Sequence, residues 1–184
     1  PTRRSSDLNT TGTAMVYGSA EVWKYIVAEN RYERMPDLPE PVAGGQMEHL
    51  NGRLHYFGAT NQARTVDLSV HWVLDLATPG AGWVASTPLP FGRHHMGSIV
   101  YQGKIYALGG QIAHNVASIT KREFYVFDPV TEVWTRLADV KVDPNAVGLS
   151  HISSSVVLVG NEFYVFGGQY TPWWNTAQVV AYSP

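Results

Sequence analysis

One motif occurs three times in the 184-residue chain, in the same register each time. Its copies span 51–59, 102–110 and 160–168, and each is a turn dipeptide followed by a short apolar run that ends in two small residues. Aromatic side chains repeat with it, because Tyr32, Trp83 and Trp134 lie 51 positions apart. A period near 50 residues indicates an array of similar units, each of which buries its apolar surface against its neighbours.

The central unit contains signals for four strands. Each run is short and apolar, and the runs are separated by turn residues such as Gly103 and Pro129. We predict the four strands at 96–101, 104–109, 123–128 and 132–137. Four strands joined by turns within about 50 residues are typical of one blade of a β-propeller.

In residues 20–35 the local pattern conflicts with the repeat. Val22 and Ile26 have the spacing of a helical face, and the segment contains no Gly or Pro. A shift of 102 residues, however, aligns Val22 with Phe124 and Tyr32 with Trp134. We therefore predict two strands here instead of a helix.

The repeats predict an all-β chain, a partial β-propeller of four-stranded antiparallel blades. The units are half a blade, two full blades and three-quarters of another, about half of a ring of roughly 4 to 8 blades. We place the blade boundaries near 38–44, 88–95 and 138–151. Residues 1–8, PTRRSSDL, lack the periodicity and resemble a translated sequencing adapter. We expect them to be foreign and disordered, and the propeller to occupy 9–184.

Residues 101–110 read YQGKIYALGG, residues 124–129 read FYVFDP, and Trp134 follows Asp128 by six positions. These residues resemble the signature of the kelch-repeat family of propellers, which includes the galactose oxidase type. The first full unit departs from the signature, because Ala59 replaces its second Gly. The resemblance implies a structural role for Gly58, Gly109, Gly110, Asp128, Trp83, Trp134, Gly167 and Gly168.

Composition and charge exclude several functional classes. Lys and Arg total 13 and Asp and Glu total 15, and no segment concentrates the basic residues. We therefore expect no nucleic-acid partner. No apolar run approaches the roughly 20 residues of a membrane span. The chain has no Cys, which removes thiol chemistry, and we expect no cofactor. Residues 71–76 and 150–155 also resemble secreted kelch proteins of microbes, which favours an extracellular or periplasmic location but leaves the compartment open.

The long connections are predicted to share one face of the propeller. In an antiparallel blade, the connection from strand two to three and that from strand four to the next blade lie on the same side. These connections are 60–70, 111–122, 138–150 and 169–176. Since binding residues concentrate on loops held by a rigid scaffold, we predict that this face binds a protein or a carbohydrate. The candidate residues are Tyr170, Trp173, Trp174, His114, Asn115, Arg64, Arg93, His94 and His151.

These candidates also have a purely structural interpretation. Arg93 and His94 match the general signature and can satisfy buried loop carbonyls, and Trp173 and Trp174 can pack against neighbouring blades. His94 and His95, as neighbours in a strand, would point to opposite faces, whereas His94 and His151 of successive junctions could approach each other. Because the sequence has no carboxylate cluster with ligand spacing, we predict no metal site. The alternative function is a propeller enzyme of the sugar mutarotase or galactose oxidase-like type, whose catalytic residues would lie mostly outside these blades.

Overall fold

The computed structural model describes residues 17–114, 118–171 and 174–183, and these residues form short antiparallel strands. The first element is a hairpin, in which a 3-10 turn at Val27–Glu29 joins β1 (Val22–Ile26) to β2 (Arg31–Met35). The prediction of two strands in this segment is therefore confirmed. The segment forms only a single turn of 3-10 helix, because strand pairing across the hairpin outweighs the local preference for a helix.

The hairpin has the register that the repeat predicts. Tyr25 pairs with Tyr32 across β1 and β2. At a distance of 102 residues along the chain, Phe127 pairs with Trp134 in the same way. The hairpin therefore corresponds to strands three and four of a blade.

The first complete blade follows the hairpin. Its sheet joins strands in the order β4, β5, β6, β7, with β3 paired to the far end of β5. A bulge at Gly58 lets the pairing between β5 and β6 continue. In the second blade, the pairing of the corresponding two strands ends at this position. The connection is thus only 62–66, shorter than the predicted loop at 60–70. The strands are β3 (Val42–Ala43), β4 (Gln46–Leu50), β5 (Arg53–Asn61), β6 (Asp67–Asp75) and β7 (Val84–Ala85).

The second blade is a four-stranded antiparallel sheet in the order β13, β12, β9, β8, with a separate two-stranded hairpin, β10 and β11, at one end. The four predicted strands are confirmed, and each end lies within one residue of its prediction. The strands are β8 (Gly97–Tyr101), β9 (Lys104–Leu108), β10 (Gln111–Ile112), β11 (Ile119–Thr120), β12 (Phe124–Asp128) and β13 (Val133–Arg136).

The third sheet has three strands in the order β14, β15, β18, again with a terminal hairpin, β16 and β17. Together with the first hairpin and the two complete blades, it confirms the all-β partial propeller predicted from the repeat. The strands are β14 (Val156–Val159), β15 (Glu162–Phe166), β16 (Gln169–Tyr170), β17 (Trp174–Asn175) and β18 (Val179–Tyr182).

The apolar core lies between the sheets, because each blade buries one face against the next. The core between the first and second blades includes Phe57, Ile105, Phe127 and Trp134. The one between the second and third blades is a separate cluster around Leu108, Phe124 and Phe163. The edge strands β4, β8 and β14 of consecutive blades contact one another. We call the side of the blades on which these strands lie the inner edge.

Two tryptophans at repeated positions link consecutive units by the same hydrogen bond. The indole Nε1 of Trp83 donates to the carbonyl of Pro36 at 2.9 Å, and that of Trp134 donates to the carbonyl of Thr87 at 3.0 Å. A buried indole N–H requires a partner, and here the partner belongs to the segment that precedes the blade.

No helix in the described residues has the length and apolar character needed to cross a membrane.

Candidate functional site

Three equivalent residues of successive blades form a chain of hydrogen bonds along the inner edge. The backbone N–H of His95 donates to the carbonyl of Gly44 at 2.7 Å, and that of His151 donates to the carbonyl of His95 at 2.9 Å. All three residues are left-handed, with φ angles of 69° for Gly44, 55° for His95 and 56° for His151. This conformation costs a non-glycine residue about 1 to 3 kcal/mol, and the inter-blade hydrogen bonds hold it in place.

Four imidazoles gather at this edge, and we call His94, His95, His114 and His151 the inner histidine cluster. The ring centroids of His94 and His95 are 4.6 Å apart, and those of His95 and His151 are 4.2 Å apart. The ring of His114 lies 5.3 Å from His94 and 5.7 Å from His95.

The sequence-based argument that His94 and His95 point apart is wrong. Their Nδ1 atoms are in direct contact. The argument assumed extended backbone, whereas the left-handed φ of His95 turns its side chain toward its neighbour. Gly44 makes room for this, because a Cβ there would lie 3.0 Å from Cε1 of His95.

Burial keeps His94, His95 and His151 of this cluster neutral near pH 7. Burial, followed by the neighbouring imidazoles, lowers the pKa of both His94 and His95 to about 3. The pKa of His151 is lowered for the same two reasons. The Asp67 carboxylate, 3.3 Å from Nε2 of His94, favours the charged form, but burial and the other rings outweigh it.

A second histidine pair is buried in the core of the first blade. His55 Nδ1 lies 3.0 Å from His71 Nε2, and His71 Nδ1 lies 2.9 Å from the carbonyl oxygen of Thr87. The carbonyl can only accept, so His71 carries its proton on Nδ1 and its Nε2 accepts from His55. Burial lowers the pKa of His55 to about 4, and that of His71 is lowered too.

These histidines predict that the fold loses stability in acid. His55, His94 and His95 each have a folded pKa below the ordinary value of 6.5, so the unfolded chain binds more protons as the pH falls below 6.5. We expect the free energy of unfolding to fall by about 1.4 kcal/mol per pH unit for each histidine that stays neutral in the folded state. Burial raises the pKa of Glu48, so this carboxyl group stabilises the fold in acid. The several histidines outweigh this one group.

The measurement is urea unfolding, followed by tryptophan fluorescence, at pH 7, 6 and 5. A free energy of unfolding that stays constant or rises between pH 7 and pH 5 would contradict the prediction.

Arg93 lies inside the molecule. Its side chain is 2% exposed. Its Nη1 donates to the carbonyl of Gly109 at 3.1 Å and lies 3.8 Å from the carboxylate of Glu123, while its guanidinium stacks 5.2 Å from the ring of Tyr125. These contacts correspond to the structural interpretation given above, and they leave Arg93 closed to a ligand on the outer surface of the loops.

The remaining candidates are distributed along the loop face. Arg64, in the β5–β6 turn, stacks on Tyr17 with its guanidinium carbon 3.5 Å from the ring centroid. Tyr170 pairs with the backbone of Trp174 between β16 and β17. Asn115 and Trp173 lie outside the described residues.

Hydrogen bonds join the hairpin ends of three consecutive blades into one surface. The Asp67 carboxylate, on β6, accepts from the backbone N–H of Ala113 at 2.9 Å, beyond β10. The hydroxyl of Thr171, beyond β16, accepts from the backbone N–H of Thr120 at 2.9 Å and donates to the carbonyl of Ser118 at 3.0 Å. We call this surface the hairpin face.

A groove opens on this face beside the inner histidine cluster. It has a volume of about 330 Å³ and is lined by His151, Gly168, Gln169 and Asn175. The cluster therefore runs from exposed His151 at the groove to His94, which is fully buried. As the side chains stand, no group of three or more His, Asp or Glu residues within 17–114, 118–171 and 174–183 could hold a metal ion.

The candidate residues from the sequence did not include His95, Asp67, Gln169 or Asn175. One signal was available for His95, because the repeat aligns it with Gly44 and His151. Asp67, Gln169 and Asn175 carry no such signal, since their place beside the cluster depends on contacts between blades.

Comparison with known proteins identifies similar sequences and folds. The Kelch motif family matches residues 92–141. The "Kelch repeat-containing protein At3g27220" of Arabidopsis thaliana is 27% identical over 75% of this chain and 34% of that protein. The "Kelch repeat and BTB domain-containing protein 1" of Vaccinia virus (strain Copenhagen) is 23% identical over 82% of this chain and 24% of that protein.

The structure of YjhT superposes with a TM-score of 0.68 at 17% identity, covering 91% of this chain and 60% of that one. This similarity concerns the fold. The chain thus spans about a third of the length of the plant relative and about a quarter of the viral one.

Proposed function

This chain consists of kelch repeats folded as blades of a β-propeller, and we propose that it is a protein-binding module that contacts its partner through the hairpin face. The observation that carries the proposal is the hydrogen bonding between the hairpin ends of three blades, through Asp67 and Ala113 and through Thr120 and Thr171. Loops fixed to one another lose little conformational freedom on binding, which favours recognition by a continuous surface.

Exposed apolar side chains on this face support the proposal. Val66 in the β5–β6 turn is 51% exposed, Ile119 on β11 is 40% exposed, and Val147 in the connection to the third blade is 50% exposed. Each comes from a different loop among those predicted to form the binding face. A carbohydrate remains the second class of ligand, through the aromatic residues of 169–176.

The enzyme alternative receives no support from its candidate residues. A mutarotase would need an acid–base group and a sugar-binding Arg open to substrate, and the residues of these types at the junction before the second blade are Arg93 and His94. Both are almost completely buried, and Arg93 is occupied by carbonyls and Glu123. We therefore retain the binding function.

The test uses the full-length protein and matched substitutions of exposed aliphatic residues. We expect Val66→Asp, Ile119→Asp and Val147→Asp to weaken binding of a partner isolated with the wild-type protein by at least about tenfold, because a charge is then buried at the interface. The control is Val130→Asp, in the β12–β13 turn at the opposite end of the second blade, where Val130 is 89% exposed.

Binding is measured with the purified partner, after circular dichroism has shown that each variant is folded. Equal affinity of all four variants, or a loss confined to Val130→Asp, would overturn the proposal.

A further inference from the structure

We propose that the inner histidine cluster and Arg64 form a site for an anionic oxygen group, a carboxylate or a phosphate, whose binding is coupled to proton uptake. The inference rests on the proposed function, since the site lies on the hairpin face and would supply part of the recognition. It identifies a chemical class of ligand that the loop geometry alone does not specify.

The first observation is a set of buried nitrogen atoms that make no hydrogen bond, although one of them, Nε2 of His94, lies 3.3 Å from the Asp67 carboxylate. Within the described residues, Nε of Arg64, Nε2 of His94 and Nδ1 of His114 are buried and make no hydrogen bond. No carboxylate in that part of the chain lies within ion-pair distance of Arg64. Buried polar atoms without partners are rare in folded proteins, so each one requires an explanation, such as a missing ligand.

The second observation is the balance of charge. The positive charge of Arg64 acts on His95, where it helps to lower the pKa of the imidazole. Asp67 is the carboxylate in contact with the cluster, and its Oδ2 already accepts from the backbone of Ala113. Arg93, behind the cluster, is matched by Glu123. Among the described residues, the charged groups around the four rings thus leave the guanidinium of Arg64 without a carboxylate partner.

The third observation is access combined with backbone strain. The groove of about 330 Å³ leads from solvent to His151 and offers the side-chain amides of Gln169 and Asn175 as further hydrogen-bonding groups. His95 and His151 keep a left-handed backbone at positions where the first blade has Gly44. Strain of this kind clusters at binding sites, because the surrounding structure must hold it.

An anion fits these observations better than a metal cation does. In their present orientation no three of the described His, Asp or Glu side chains could hold a metal ion. A cation would also be repelled by Arg64, whereas an anion gains a charge-assisted hydrogen bond from it. An anion in the groove stabilises the protonated form of His151, so binding takes up more protons at pH 5.5 than at pH 7.5.

The experiment measures binding of malonate and of inorganic phosphate to the full-length protein by isothermal titration calorimetry. We expect the affinity for at least one of them to be about threefold to tenfold higher at pH 5.5 than at pH 7.5. Proton uptake is measured by repeating the titration in buffers of different ionisation enthalpy.

Two substitutions, each with a matched control, test the assignment to this site. We expect Arg64→Gln to weaken anion binding by at least about tenfold, and His151→Gln, at the groove, to reduce both the affinity and the number of protons taken up. Arg53→Gln and His49→Gln change exposed residues of the same types on β5 and β4 and should leave both quantities unchanged. These two positions lie at the end of the first blade away from the hairpin face.

Each remaining outcome overturns the inference. These outcomes are no saturable binding of either anion, binding without proton uptake, equal effects of Arg64→Gln and Arg53→Gln, and binding of Zn²⁺ but of neither anion. The proposed function fails separately. A protein partner that is lost with Val147→Asp but retained with Arg64→Gln, and that malonate does not displace, supports the hairpin face and overturns the part of the anion site in recognition.

Discussion

Replacing Trp134 with alanine is expected to lower the free energy of unfolding by about 3 to 5 kcal/mol. Trp134 is 8% exposed, and its ring centroid lies 5.4 Å from that of Phe57 and 5.1 Å from that of Phe127. The substitution leaves a cavity between two blades, and loose packing there affects both sheets. The measurement is equilibrium unfolding in urea followed by far-ultraviolet circular dichroism.

Two further variants separate the packing of Trp134 from its hydrogen bond. Trp134→Phe keeps most of the ring, and the Thr87 carbonyl keeps its contact with Nδ1 of His71, so we expect a cost of only about 1 kcal/mol from the lost hydrogen bond. Trp23→Ala is the exposed control, since Trp23 is 50% exposed, and it should cost less than 1.5 kcal/mol by a rough estimate. A loss of stability in Trp134→Ala no larger than that in Trp23→Ala would contradict the inter-blade core described here.

Replacing Gly110 with alanine is expected to cost about 3 to 5 kcal/mol of unfolding free energy. Gly110 has a φ of +93°, and an added Cβ would lie 2.6 Å from Cγ of Met96 and 2.8 Å from the carbonyl oxygen of His94. Its backbone also links the second blade to the next, because its N–H donates to the carbonyl of Leu149 at 2.8 Å. The carbonyl of His94 cannot rotate away, so the backbone at the inner edge must shift.

The matched control is Gly103→Ala in the β8–β9 turn. Gly103 has a similar φ of +72°, but a Cβ there would meet nothing within 4 Å. Only the conformational strain remains, which costs about 1 to 2 kcal/mol. Urea unfolding of both variants measures the difference, and equal losses of stability would show that the close approach at Gly110 has no energetic consequence.

The strands of the second blade were predictable from sequence because their ends are marked locally. Gly103 and Pro129 interrupt the apolar runs, and the strands end within one residue of these predictions. The first hairpin was predictable only from the repeat, because the spacing of Val22 and Ile26 alone indicates a helix. Its register followed as well, since Tyr25 and Tyr32 occupy the positions of Phe127 and Trp134.

Side-chain positions at the site were less predictable. Arg93 was considered both as a ligand contact and as a partner of loop carbonyls, and nothing in the sequence distinguishes these roles. The structure buries it against Gly109 and Glu123. The β5–β6 connection is shorter than predicted, because the bulge at Gly58 lets the strand pairing continue.

The repeated motif and its period were sufficient for the all-β architecture, the number of blades and the pairing of the main strands within each blade, but not for the hairpins β10–β11 and β16–β17, which lie in segments predicted as loops. These features depend on residues close together in the chain, whose turns and alternating apolar side chains can be read directly. The inner histidine cluster, the burial of Arg93 and the joined hairpin face depend on tertiary structure. They arise where separate blades meet, and the left-handed backbone of His95 that brings two adjacent rings together is held by hydrogen bonds to Gly44 and His151. Contacts between residues some 50 positions apart decide such features, so no local pattern specifies them.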